Sequence, residues 1–171
     1  MRRWLVVLGA ECEEFAAAER RVEIRELLDR LGLYVSMVTG DLSLAINNED
    51  AVGALRDIAP YLDLTEALGS DLVRVMMHEE SDIAYAQHAA DMAAERGQRL
   101  SQMHWGSMFE TVDGALDILA RIGRPNFGVT YEPANLLACG EDYGSAAIAR
   151  LAPQSGATLV TSSTAAALPD T

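Results

Sequence analysis

The sequence contains no lysine: all 13 basic residues are arginine, against 26 aspartates and glutamates. Without lysine the chain cannot form a Schiff base with a carbonyl substrate, anchor pyridoxal phosphate or build a Walker-type phosphate loop. The formal charge of −13 repels phosphate backbones, so we expect no nucleic-acid partner.

Cysteine and long apolar runs are also scarce. Cys12 and Cys139 are the only two cysteines, and they form neither a metal-ligand spacing nor a disulfide framework, which favours a reducing cytoplasm. We expect Cys139 to be a small buried filler. The apolar stretch Trp4–Gly9 is too short to span a bilayer and lacks a small-residue cleavage site. We interpret it as a strand and expect no membrane partner.

Half of the 171 residues are hydrophobic, which is enough for one domain with a sizeable core. Strand-like and helix-like segments alternate strictly, and this pattern predicts βα units around a parallel sheet. A doubly wound sheet and a closed barrel share the pattern, but no GxGxxG follows the first strand, which disfavours a dinucleotide-binding sheet. The predicted strands are Trp4–Gly9, Tyr34–Thr39, Asp71–Met77, Leu100–His104 and Phe127–Tyr131.

Helical spacing of apolar residues lies between these strands. The predicted helices cover residues 11–31, 50–68, 81–96, 111–122 and 142–152. Pro60 should kink or split the second helix, and Thr111 should cap the fourth. An eight-unit barrel takes about 250 residues, so residues 1–152 predict an incomplete barrel domain. Residues 153–171 predict a divergent, frayed tail, in which 157–161 would suit a sixth strand.

Chemically active side chains stand where three neighbouring predicted strands end: His78, Gln102, His104, Trp105, Glu132 and Asn135. Because the carboxyl ends of parallel strands converge on one edge of a sheet, we expect Gln102, His104 and Glu132 to surround a shared hollow. Carboxylate, imidazole and amide groups together suit a divalent metal or a polyol substrate.

Each of these assignments has a structural alternative. The Glu132 carboxylate would otherwise accept backbone N–H groups within its own turn, and Gln102 would fill a polar layer of the core. Arg74 shares a strand face with Met76 and His78. A guanidinium buried in a sheet needs an acidic partner, so a structural ion pair is the default interpretation of Arg74.

Four segments, in this order, resemble the xylose isomerase-like TIM barrels: RELLDRLGLYVSMV, YLDLTEALGSDLVRVMM, LSQMHWGSMFETVDGALDIL and FGVTYEPANLLACGEDYG. This superfamily contains sugar phosphate isomerases/epimerases and the family 2 AP endonucleases. The likeness covers residues 22–152. It implies an α/β fold, a partial (β/α)8 TIM barrel of about five to six parallel strands with alternating helices.

The resemblance implies proton transfer on a sugar or sugar phosphate at a site holding Mn²⁺, Mg²⁺ or Co²⁺. In the family, a Glu-x-His segment ends one strand and an Asp-Pro-x-His segment ends the next. Gln102 and His104 occupy the first motif, and Glu132 and Asn135 occupy the second. We therefore assign Gln102 and Glu132 as catalytic and metal-ligand positions. The assigned substrate contacts are His78, His104, Trp105 and Asn135.

This sequence departs from the family at positions that matter for catalysis. Glutamine offers a carbonyl oxygen but cannot act as a general base, and the last two family ligands would lie beyond Pro153. We therefore expect impaired turnover, as in a barrel cut at both ends or one with diverged ends. The alternative is a non-catalytic sugar-binding or remnant module, and a DNA-repair nuclease is disfavoured by the negative charge. Open parallel edges of a partial barrel also predict a homo-oligomer.

Overall fold

A computed structural model describes residues 3–8, 18–39, 53–103 and 108–154. Five strands within these ranges form one parallel sheet in the order of the chain. They are Arg3–Leu8 (β1), Leu33–Thr39 (β2), Leu72–Val75 (β3), Arg99–Met103 (β4) and Phe127–Thr130 (β5). Each crossover moves one strand along in the same direction, and right-handed crossovers of that kind place their helices on one face of the sheet. This order confirms the barrel-type prediction, since a doubly wound sheet reverses its strand order.

The described helices agree with the predicted pattern, with one addition. They are Ala18–Leu31 (α1), Gly53–Arg56 (α2), Ala59–Ala67 (α3), Asp82–Glu95 (α4), Val112–Ile122 (α5), Pro133–Ala138 (α6) and Ser145–Leu151 (α7), followed by the 3-10 turn Ala152–Gln154. The predicted split at Pro60 is confirmed, because Pro60 lies in the first turn of α3. The stretch after Glu132, which we predicted to be a turn, begins the short helix α6.

The main core lies between the sheet and the helices α4 and α5. Strand residues such as Val73, Leu100 and Val129 pack there against four alanines of α4 and the apolar side of α5. The alanines are Ala86, Ala89, Ala90 and Ala93. Their small side chains allow the helix to approach the sheet closely. A second cluster joins α1, α3 and β2 through Leu28, Leu64 and Val38.

Some predictions concern residues that the structure does not describe, and one is wrong. The tail and sixth strand proposed for 155–171 lie outside the described ranges, as do Cys12 and the first part of the first predicted helix. Cys139 is exposed, so its prediction as a buried filler is wrong. Within the described ranges, none of the helices is both long enough and apolar enough to cross a membrane.

Candidate substrate site at the carboxyl edge of the sheet

The strand register divides the sheet into two chemically different faces. Val38, Val73 and Leu100 are aligned across β2, β3 and β4 or their neighbours, and all three belong to cores beneath the helices. The residues that follow them are polar and are likewise aligned: Thr39, Arg74 and Ser101. Because successive strand residues point to opposite faces, these polar residues point away from the helices, onto what we call the inner face.

Thr130 belongs to the same inner face. Its Oγ1 lies 2.8 Å from Ser101 Oγ, and both side chains are completely buried. Thr39 and Thr130 end their strands, while Arg74 stands one residue before the end of β3. We call Thr39, Arg74, Ser101 and Thr130 the inner polar row. It places four polar side chains close to the carboxyl edge, where parallel α/β sheets build their sites.

Glu132 follows this row two residues after β5 ends, and it is half-buried. Its backbone carbonyl accepts hydrogen bonds from the N–H groups of Asn135 and Leu136, at 3.1 and 3.2 Å. Its carboxylate makes no capping hydrogen bond to α6. The alternative role that we considered for Glu132, accepting N–H groups at the start of its own turn, is therefore not the one observed.

Asn135 lies within α6 and is half-buried. Its carbonyl accepts the N–H of Cys139 at 3.1 Å, so the helix fixes its backbone. Tyr131, between Thr130 and Glu132, is 2% exposed and donates its hydroxyl to the carbonyl of Tyr143. Burial, with the nearby negative charge of Asp142, raises the pKa of Tyr131. This phenol ties the segment after α6 to the end of β5. Our sequence analysis missed this contact because the two tyrosines are not close in the chain.

His78 follows β3 in a loop that a buried carboxylate holds in place. Asp82 is 1% exposed, and its Oδ2 accepts the backbone N–H groups of His78 and Glu79 at 2.9 and 3.1 Å. The His78 side chain is half-buried. Our sequence analysis did not identify Asp82, although an aspartate at the first position of a helix is a usual signal for such a bond.

The structure does not bring Gln102 onto the inner face with Thr130. Gln102 is aligned with Val75 and Val129, which pack beneath the helices, whereas the β4 residue aligned with Thr130 is Met103. Gln102 is completely buried, with Nε2 3.7 Å from the sulfur of Met76. The two remaining residues assigned at this edge, His104 and Trp105, lie outside the described ranges.

We tested whether the described residues fit a divalent metal. Among them, no group of three or more His, Cys, Asp or Glu side chains is placed to hold an ion. The inner polar row supplies hydroxyls and a guanidinium, and hard divalent cations prefer carboxylate and carbonyl oxygens. The described side chains therefore do not complete a metal site by themselves. The ligand roles of Gln102 and Glu132 stay predictions.

A cavity of about 310 Å³ lies at the opposite edge of the sheet, where β2 begins and α1 and α3 end. Arg25 fills part of this region and donates from Nη1 to the carbonyl of Leu68 at 2.9 Å. A Cβ at Gly69 would lie 1.7 Å from that nitrogen, and Gly69 has a φ of 70°. The guanidinium thus caps the end of α3. We regard this cavity as structural, because the amino ends of parallel strands are not where such folds place their chemistry.

Solved structures with a similar fold come from several organisms. A xylose isomerase domain protein from Planctomyces limnophilus has a TM-score of 0.75 and 17% identity, over 92% of this chain and 62% of its own. A xylose isomerase-like TIM barrel protein from Mycobacterium smegmatis, in complex with magnesium, has a TM-score of 0.67 and 18% identity, over 81% and 55%. For 3-keto-D-glucoside 4-epimerase from E. coli the values are 0.53 and 13%, over 84% and 76%.

These identities support the fold alone, and the chain spans less than two thirds of the first two of these structures. A comparison with curated proteins gave no match. A family profile, described as xylose isomerase-like TIM barrel, matches residues 8–159. This match covers most of the chain and includes all five of the predicted strand ends. The chain therefore belongs to the xylose isomerase-like TIM barrel family.

Proposed function

We propose that this protein binds a sugar or a related polyol at the carboxyl edge of its sheet and moves a proton on it, as an isomerase or epimerase does. The observation that carries the proposal is the position of Glu132. This carboxylate follows a strand whose inner face bears the buried hydroxyls of Ser101 and Thr130, and it is not used to cap α6. The fold of a solved 3-keto-D-glucoside 4-epimerase is compatible with this reaction class.

In the proposed reaction, the Glu132 carboxylate removes a proton from a carbon next to a carbonyl and returns it to the neighbouring carbon or the opposite side. Hydroxyl groups of the inner polar row orient the polyol by donating to its oxygens. Gln102 cannot replace Glu132 as the base, because an amide does not accept a proton at neutral pH. Its amide oxygen stays a predicted ligand. A divalent ion of the kind bound in the Mycobacterium smegmatis structure would polarise the carbonyl, and it would need donors besides the described ones.

The test is exchange of carbon-bound hydrogen with solvent. Aldoses, ketoses and their phosphates are incubated in D₂O with and without MnCl₂, and deuterium incorporation is followed by NMR. We expect exchange with at least one sugar and a loss of about 100-fold or more in Glu132→Gln, the range for a missing general base. Glu141→Gln is the matched control, since Glu141 is also half-buried and lies nearby in the chain. Exchange that is equal in Glu132→Gln and wild-type protein would contradict the proposal.

The second candidate is a sugar-binding module without catalysis. The absence of a metal-ligand group among the described residues favours it, as does glutamine at position 102. Saturable sugar binding without any deuterium incorporation would support this candidate over the first. A DNA-repair nuclease has less support, although an AP endonuclease of family 2 from Brucella melitensis shares the fold. The chain carries a charge of −13, and arginines such as Arg99 and Arg124 pair with carboxylates on its surface.

A further inference from the structure

We propose that the inner polar row is an anion-binding subsite, in which Arg74, with Thr39 beside it, binds a carboxylate or phosphate group of the substrate. This inference rests on the proposed function for the location of the substrate. The binding itself is measurable without turnover. It would make the protein selective for acidic or phosphorylated sugars over neutral ones.

The row presents donors and no carboxylate. Thr39 is aligned with Arg74, and Arg74 is aligned with Ser101, so a guanidinium stands between two hydroxyls on adjacent strands. The planar guanidinium fork matches the geometry of a carboxylate or phosphate and binds it through two parallel hydrogen bonds. A neutral polyol would gain less from this arrangement, because hydrogen bonds between charged partners are roughly twice as strong as neutral ones.

The Thr39 hydroxyl is an independent indication of a ligand. The side chain is completely buried, and its Oγ1 makes no hydrogen bond to any atom in the part of the chain that the structure describes. Buried hydroxyl groups nearly always have a partner, so such a group requires an explanation. An oxygen of a bound anion, held by the neighbouring Arg74, would accept this hydrogen bond.

The Ser101–Thr130 pair extends the donor set. One of these hydroxyls donates to the other across 2.8 Å, and the hydroxyl that accepts keeps its own proton for a further bond. The pair lies beside Arg74 on the inner face, on the side of the row that continues towards Glu132. A substrate whose anionic group rests on Arg74 would therefore extend its carbon chain towards the proposed base.

The location of Arg74 also separates it from the other strand arginine with a described side chain. Arg99 begins β4, at the amino edge of the sheet, and binds Asp71 through two hydrogen bonds of 3.1 and 2.8 Å. Arg74 instead lies near the carboxyl edge. Because the protein has no lysine, any cationic side chain that recognises an anionic substrate must be an arginine or a histidine.

The test measures binding of D-gluconate and inorganic phosphate by calorimetry, with D-glucose as the neutral comparison. We expect saturable binding of gluconate and at least tenfold weaker affinity in Arg74→Gln, the loss expected for one charge-assisted pair. Thr39→Val removes only the hydroxyl, at nearly constant shape. It should weaken gluconate binding several-fold while leaving the urea midpoint unchanged or higher, because it removes a buried hydroxyl that lacks a bond. Arg99→Gln is the matched control and should keep wild-type affinity.

No saturable binding of either anion to the wild-type protein, or unchanged affinity in Arg74→Gln, would overturn the inference and leave Arg74 as part of a structural ion pair. If Arg74→Gln does not fold, Arg74→Lys retains the charge without the fork, and unchanged affinity in both Arg74→Lys and Thr39→Val would also overturn it. The two proposals fail separately. Gluconate binding without deuterium exchange into any sugar counts against the proposed function alone, while exchange without anion binding counts against this subsite alone.

Discussion

Asp82 shows how a single buried carboxylate determines the shape of a loop beside the candidate site. It is 1% exposed and accepts two backbone N–H groups, those of His78 and Glu79. We expect Asp82→Ala to lower the free energy of unfolding by about 2 kcal/mol, because buried N–H groups lose a charged acceptor. Urea denaturation followed by circular dichroism measures the change.

The control for this prediction is Asp117→Ala. Asp117 is 66% exposed, and its contact with Arg121 is 3.6 Å long, so its replacement should change stability by no more than about 0.5 kcal/mol. Similar losses in the two variants would show that the bonds of Asp82 add nothing beyond those of an exposed carboxylate.

Single residues at the candidate site were only partly accessible to sequence analysis. The position of Glu132 after a buried strand was evident, because a strand pattern followed by Pro133 marks where the strand ends. The importance of Thr39 was not evident, because its burial and the alignment with Arg74 depend on strands that are far apart in the chain.

Helix α5 is a well-delimited element, and its first residue follows a clear cap. Thr111 Oγ1 accepts the N–H of Gly114 at 2.9 Å, and Gly123 ends the helix with a φ of 60°. We expect Thr111→Ala to lower the free energy of unfolding by about 1 kcal/mol, since an N–H at the helix start loses its acceptor. Thermal or urea unfolding is a sufficient measurement.

Ser81 provides a matched control at the start of α4. It occupies the same cap position but makes no capping hydrogen bond, and its hydroxyl donates to Glu79 at 2.6 Å on the surface. Ser81→Ala should therefore have a smaller effect than Thr111→Ala. The opposite order of the two losses would be inconsistent with the capping explanation.

At the scale of elements, the sequence predicted the strands and helices well but could not predict how neighbouring strands align. Alternation within β4 correctly separated Ser101 from Gln102, and alternation within β5 separated Val129 from Thr130. The relative register of the two strands decides which residues share a face, and a shift of one residue reverses every assignment. That register places Ser101, and not Gln102, on the face of Thr130.

For the whole molecule, surface ion pairs predict a specific response to acid. Hydrogen bonding to Arg124 holds the pKa of Asp91 below its ordinary value of 3.8. A depressed carboxyl pKa stabilises the fold above the unfolded-state pKa, and this stabilisation is lost as the pH falls through the folded-state pKa. We expect Asp91→Asn to unfold at lower urea concentration than wild type near pH 7, with the difference shrinking below about pH 4. A difference that stays constant between these pH values would contradict this explanation.

Self-association is the second expectation for the whole molecule. Among the described strands, β1 and β5 each pair with one neighbour, and an unpaired strand edge can pair with another chain. We expect sedimentation velocity at micromolar concentrations to show a dimer or larger species. A single monomeric species across the concentration range would refute the expectation.

The location of the ligand is the central claim, and NMR chemical-shift mapping with neutral and acidic sugars tests it most directly. The account predicts that the largest amide shifts occur at the carboxyl edge, at Thr39, Ser101, Thr130 and Glu132. It also predicts that they depend on Arg74 when the sugar is acidic. Shifts concentrated instead around Arg25 and Gly69, at the cavity on the opposite edge, would contradict it.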